Sequence, residues 1–154
     1  METRVRVEKI TSPAFIAMLG VEKYLAQSSI EKTVRELVKV RVSQINGCAY
    51  CLDMHWKDAV AAGESEQRLY SLPAWRECPY YNDRERAALL LAEELTRIAN
   101  RPVPETVHEE VSKHFTDQEL HDLIWAIAAI NAWNRLNIGM GTVPGGYQPP
   151  KSGH

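Results

Sequence analysis

What this chain lacks narrows its function before any motif is read. No apolar run is long enough to cross a bilayer: the longest, Leu123 to Ile130, holds eight residues where a spanning helix needs roughly 20. No charge dominates. Lys and Arg number 18 against 20 Asp and Glu, interspersed for a net −2, which leaves no basic field to hold nucleic acid. No charged-then-apolar leader opens the sequence, because Ala14 to Leu19 is short and follows acidic residues. A cytoplasmic protein without a membrane partner is expected. Strand signals are confined to Val5-Arg6-Val7, too little for a sheet, and no fixed repeat or low-complexity segment appears. Cysteine is scarce as well. Three thiols cannot all pair within one chain, so a structural disulfide framework is excluded.

What is present reads as helices. The 154 residues are 45% apolar, enough for one domain, 1–154, with a real core. Ser12-Pro13 opens a first helix reaching about Gln27. Ser28 and Glu31 have the pattern of a capping box for the second. Its residues Val34, Leu37, Val38, Arg41, Val42 and Ile45 recur at three- and four-residue intervals until Asn46-Gly47 stops it. A third helix starts at or near Cys48 and runs to Ala62, ended by Gly63. A short helix from Ser65 to Ser71 and a Pro- and aromatic-rich loop over 72–81 follow. Asn82 with Glu85 caps the next helix, through Leu95. Pro102 and Pro104 precede a helix of about ten residues ending near His114, and Thr116 with Glu119 caps the last and most apolar one, Leu120 to about Ile138. Beyond Gly139, prolines and glycines predict an extended tail lying against the body. The expected fold class is all-α, a single-domain helical bundle.

Chemistry concentrates in Cys48-Ala-Tyr-Cys51-Leu-Asp-Met-His55. At 100° per residue the two thiols and the imidazole fall within an arc of roughly 60°. One turn separates the cysteines, so their Cα atoms lie about 5 Å apart, inside the range a disulfide needs. His55 stands one turn further on, within reach of Cys51 directly or through water. In a reducing compartment such a disulfide is transient and chemical. The helix start also favours a thiolate, since free backbone N–H groups and the helix dipole lower a thiol pKa from about 8.5 to as little as about 3.5.

Glu36 enters through geometry. It lies eleven residues before Gly47, close to three whole turns, on a flank with Val40 and Ser43 and off the main apolar stripe. If the third helix folds back after Asn46-Gly47, that flank approaches Cys51 and His55. A carboxylate there orients a histidine and raises its basicity, as a base beside a nucleophilic thiol requires. Periodicity alone favours the blander arrangement, a solvated Glu36 paired with Lys32 or Lys39.

Glu36, eleven residues, Cys48, two residues, Cys51, three residues, His55 resembles the active-site pattern of alkylhydroperoxidase D-like proteins in the carboxymuconolactone decarboxylase family. Asn46-Gly47-Cys48-Ala49-Tyr50-Cys51 and Asn131-Ala-Trp-Asn-Arg135 are similar to a small-protein branch of it, and the resemblance spans roughly Leu19 to Ile138. It implies an all-α homo-oligomer, trimer or hexamer, with no bound organic cofactor. It also implies a peroxidase in which Cys51 is peroxidatic, Cys48 resolves, and Glu36 with His55 forms a proton relay. The substrate is then a hydroperoxide and the reductant an external dithiol or thiol protein. One departure stands out: well-studied members carry histidine immediately before the second cysteine, where this chain has Tyr50. Lactone decarboxylases proper lack the cysteine pair, which argues against that branch.

Two other classes compete. Cys48, Cys51 and His55 could supply three ligands to zinc, but a tetrahedral site needs a fourth, and no second CxxC or paired histidine completes it. A redox sensor or scaffold would form the disulfide and turn nothing over. Other residues read as structural. Cys78, beside Pro79, is a packing thiol. Asn131 and Asn134 either tie the last helix to a neighbour or line a pocket, the tie being favoured. Trp56, Trp75, Trp125 and Trp133 are core or subunit contacts, and His108, His114 and His121 are solvated. Arg135 is a candidate partner for a buried acid such as Glu36.

Overall fold

The computed structural model describes residues 2–5 and 12–150. Its helices are α1 (Pro13–Ala26), α2 (Lys32–Asn46), α3 (Ala49–Ala61), α4 (Glu66–Ser71), α5 (Asp83–Thr96), α6 (Glu105–Val111) and α7 (Asp117–Met140), with a 3-10 turn over Leu72–Ala74. No strand occurs among the described residues. Arg6 and Val7 of the lone strand signal lie outside them. No described helix is long and apolar enough to cross a membrane.

The centre is α2, against which α3, α5 and α7 pack. It can take that place because it is apolar on two sides. Val34, Val38 and Val42 join Leu91 of α5 and Leu123, Ile127 and Ile130 of α7 in one core, which also encloses Cys48 and Cys51. Leu37 and Val40 join Leu69, Leu72, Trp75 and Leu89 in a second. Each such side chain contributes about 1.5–3 kcal/mol when fully buried, so burial on both sides fixes the rotation of α2 and with it the direction of Glu36.

The Gly47 turn sets the path into α3. Gly47 takes φ 67°, and the N–H groups of Gly47 and Cys48 return to the carbonyls of Gln44 (3.3 Å) and Ser43 (3.1 Å). This closure satisfies the end of α2 and folds α3 back without a loop. A residue with a Cβ would be strained there by roughly 1–2 kcal/mol.

Helix ends follow the sequence signals in part. Capping boxes form at Asn82/Glu85 and Thr116/Glu119. Ser28 does not cap α2. Its hydroxyl donates to the Leu25 carbonyl at 2.8 Å, closing α1, whose free carbonyls compete for the same donor. Glu31 takes the N-cap of α2 with no side-chain cap bond. The helix expected to end near His114 is shorter, because the N–H groups of 112–114 close turns instead. Helix α7 runs through Gly139 and ends at Gly141, φ 66°. A mid-helix glycine costs about 1 kcal/mol, too little to stop α7 before the left-handed Gly141 closes it.

Candidate active site

Cys48 is the N-cap of α3, its sulfur accepting the Cys51 N–H at 3.3 Å. The two sulfurs are at bonding distance with Cα atoms 5.4 Å apart. Both are deeply buried, but they differ in outlook. Cys51 lines a cavity of about 320 Å³, and Cys48 stands behind it in the core.

His55 lines the same cavity and turns its Nδ1 to Glu36 Oε2 at 3.6 Å. Neither atom has a hydrogen-bond partner among the described residues, and both are out of solvent. The two groups therefore face each other slightly beyond bonding reach. Glu36 is only 8% exposed and His55 6%, which overturns the solvated reading of Glu36. The flank it shares with Val40 and Ser43 is covered, because α3 folds back over it. Lys39 is indeed its partner, but inside the site: Lys39 Nζ lies 3.5 Å from Glu36 Oε1. Burial would push the Glu36 carboxyl up. The pairing with His55 and then with Lys39 outweighs burial and holds it below its ordinary value. Glu36 is an anion.

Several groups of this site escaped the sequence reading. Trp133 packs against the first core as expected, but it also lines the cavity and donates its Nε1–H to Glu22 Oε1 at 3.0 Å. Asn137, one turn on, donates to the Cys51 sulfur at 3.6 Å. Lys39 bridges Glu36 and Glu22, the latter at 3.4 Å. Tyr50, which the sequence already marked as the departure from the family pattern, is a wall of the cavity. The tail supplies another wall in Tyr147, whose hydroxyl donates to Asp58 at 2.6 Å. Burial, then that bond, pushes the Tyr147 phenol up, so it stays protonated. Trp133 lies within the Asn131–Arg135 motif and Asn137 one turn beyond Trp133 on the same face, and Lys39 is one turn from Glu36. Those signals were present, whereas the tail offered only composition. Phe15, Trp133 and Asn137 also border a more apolar groove of about 430 Å³ with Met18, Leu136 and Met140.

Other expected residues fall outside the site. Asn46 donates to Asn131 and Asn134, both at 2.9 Å, and Asn134 donates to Ser43 at 3.1 Å, so these asparagines tie α7 to α2. Arg135 is exposed and bonds Asn131, not Glu36. Arg41, read as part of the apolar stripe, is the arginine that answers a buried acid, pairing with Glu93 at 2.6 Å. Cys78 is half-buried against the second core. No group of three or more His, Cys, Asp or Glu among the described residues is arranged to hold a metal.

The family model of the carboxymuconolactone decarboxylase family matches residues 12–94. An uncharacterised protein of Bacillus subtilis, YdfG, is 47% identical over 141 residues, 92% of this chain and 96% of its own. The crystal structure of ATU0492 from Agrobacterium tumefaciens is similar at TM-score 0.89 and 38% identity, over 95% of this chain and 100% of that one. That protein is of unknown function, with a suggested role as the antioxidant defence protein AhpD. The debrominase Bmp8 has TM-score 0.74 at 20% identity, over 86% of this chain and 71% of its own, a distance at which the fold alone carries over. With more than half its length matched and so near a full-length relative, the chain belongs to the carboxymuconolactone decarboxylase family.

Proposed function

We propose that this protein is a thiol-dependent peroxidase of the alkylhydroperoxidase D-like kind. One observation carries the reading: a buried thiol at a cavity wall, Cys51, has a second thiol at bonding distance and a buried His55–Glu36 pair one turn away. In the reduced protein His55, its Nδ1 held toward Glu36, takes the Cys51 proton on its other nitrogen. The Cys51 thiolate attacks the O–O bond of a hydroperoxide. That bond breaks, the leaving oxygen takes the proton from His55, and an alcohol departs, leaving a sulfenic acid on Cys51. Cys48 attacks the sulfenic sulfur, expelling water and forming the disulfide. An external dithiol then exchanges with it and restores both thiols. The sum is hydroperoxide plus dithiol giving alcohol, water and oxidised dithiol. The apolar groove sharing Phe15 and Trp133 with the cavity supports an organic hydroperoxide, with its apolar body in the groove. Exposed Ile16, Leu19, Trp125, Leu136 and Ile138 on α1 and α7 support a homotrimer or homohexamer, and a reducible pair suits the cytoplasm.

The test separates the two cysteines. After one equivalent of peroxide, reduced Cys48→Ser should carry a trappable sulfenic acid on Cys51 that over-oxidises to the sulfinic acid, with turnover stalled. Cys51→Ser should neither consume peroxide nor be oxidised at this pair. A sulfenic acid on Cys48 in the Cys51→Ser protein would reverse the roles, and turnover undiminished in both variants would end the peroxidase reading.

A further inference from the structure

Lys39 is the single lysine or arginine among the described residues lining the thiol cavity. Its side chain is 13% exposed, its ammonium 3.4 Å from Glu22 Oε2 and 3.5 Å from Glu36 Oε1. Glu22 is itself fixed by Trp133 through its other oxygen. A continuous polar chain, Trp133–Glu22–Lys39–Glu36–His55, thus links α7, α1, α2 and α3 and ends at the imidazole beside Cys51. We propose that Lys39 is a positioning residue: it clamps one oxygen of Glu36 so that the other is presented to His55, and it keeps that carboxylate ionised while the thiol reacts. The proposal rests on the relay reading in taking Glu36 and His55 to act on Cys51.

The charges explain why a cation belongs at this point. Once the Cys51 proton moves to His55, the charges from Glu22 to Cys51 run minus, plus, minus, plus, minus, and each group faces its opposite. Without Lys39, the buried Glu36 would keep Glu22, its side chain 28% exposed, as an acidic neighbour with no cation between them, and a nearby like charge disfavours the ionised form of the more buried carboxylate. A protonated Glu36 would no longer hold an imidazolium. Among the described residues lining the two pockets that Glu36 and Lys39 border, none replaces the missing charge. On the cavity side Asp58 is an acid bonded to Tyr147, a phenol held protonated, and Tyr50 is a second phenol. On the other side Glu36 borders a pocket with Lys32, Glu64, Arg68 and Glu85. There Arg68 is already paired with both Glu64 and Glu85, and Lys32 is an exposed first-turn residue of α2.

The experiment reads thiolate formation without peroxide. In a Cys48→Ser, Cys78→Ser background Cys51 is the sole thiol, and its alkylation rate by iodoacetamide is followed against pH. Lys39→Met should move the midpoint upward by about one pH unit, a roughly tenfold slower reaction on the acid limb. Lys39→Arg should restore it to within threefold of the parent. Lys39→Met combined with Glu36→Gln should be no slower than Glu36→Gln alone, because the lysine acts through the carboxylate. Should Lys39→Met melt early, Lys39→Gln keeps the hydrogen bond without the charge and should show the same shift. An unmoved midpoint in a folded variant, or a double variant slower by the product of the two single effects, overturns the proposal. A shifted midpoint in a protein that turns over no peroxide would sink the peroxidase reading and leave this one standing.

Discussion

Replacing Glu36 by glutamine keeps its shape and removes its charge, so the cost can be worked from the geometry. A carboxylate and an imidazolium 3.6 Å apart attract by about 4–5 kcal/mol at an effective dielectric constant of about 20. The glutamine amide still presents an oxygen toward His55, and a neutral acceptor is worth roughly half a charged one, so about half of that attraction is lost. Some 2–3 kcal/mol lost from the step that charges the imidazole corresponds to a rate loss on the order of 10²-fold. The assay is kcat/KM for an organic hydroperoxide at saturating dithiol, measured across pH on a variant whose melting temperature and assembly match the parent. Pairing with His55 and Lys39 overcomes burial and keeps the Glu36 carboxyl below its ordinary value. The parent therefore holds the charge at every pH above the carboxylate range, and the deficit of Glu36→Gln should be constant there. It should shrink only in acid, as the parent itself takes up the proton. Turnover within threefold of the parent with an unaltered pH profile would refute the relay and return Glu36 to a packing role.

Glu93 is 2% exposed and receives Arg41, Arg76 and the Trp75 N–H. Burial would raise its carboxyl, but these partners bring it down to about 2. A lowered carboxyl contributes stability above its unfolded value near 4.3 and loses it as pH falls toward 2, about 3 kcal/mol in all. Glu93→Gln, which strands the buried Arg41, should lose about 3–5 kcal/mol at neutral pH, with the gap in melting temperature closing below pH 4; a constant gap down to pH 2.5 would contradict this. Sedimentation velocity at micromolar concentration should find a trimer or hexamer, and a lone 17.5 kDa species would remove the assembly reading.

The helices were legible because each carries a local signal. Apolar recurrence on α2, the boxes at Asn82 and Thr116, and Gly47 each act within a turn or two of themselves. Ser28 was misread because two helix ends compete for one hydroxyl, and only the three-dimensional arrangement decides which wins. The thiols and His55 share one helix, so spacing alone could align them. Glu36 was different. Its burial depends on α3 folding back over α2, a tertiary event that periodicity within α2 does not record. Glu22 is a further case, since it reaches the site from α1 with no constant spacing to betray it, whereas Trp133 and Asn137 lie in or next to the Asn131–Arg135 motif. Arg41 looked like a flaw in an apolar stripe until Glu93, fifty-two residues away, supplied the reason for it.

The tail beyond α7 is held to α3 by four hydrogen bonds: Gly145 N–H to Asp53 (3.1 Å), Lys57 to the Gly145 (3.5 Å) and Tyr147 (3.1 Å) carbonyls, and the Tyr147 hydroxyl to Asp58. Asp53, Lys57 and Asp58 occupy the same helix that carries Cys51 and His55. Removing the segment from Gly145 onward would therefore remove Tyr147, a wall of the cavity that Cys51 lines. Preparations that differ in how this segment is held would differ in access to the Cys51 sulfur, and a comparison of peroxide consumption between them would measure that difference.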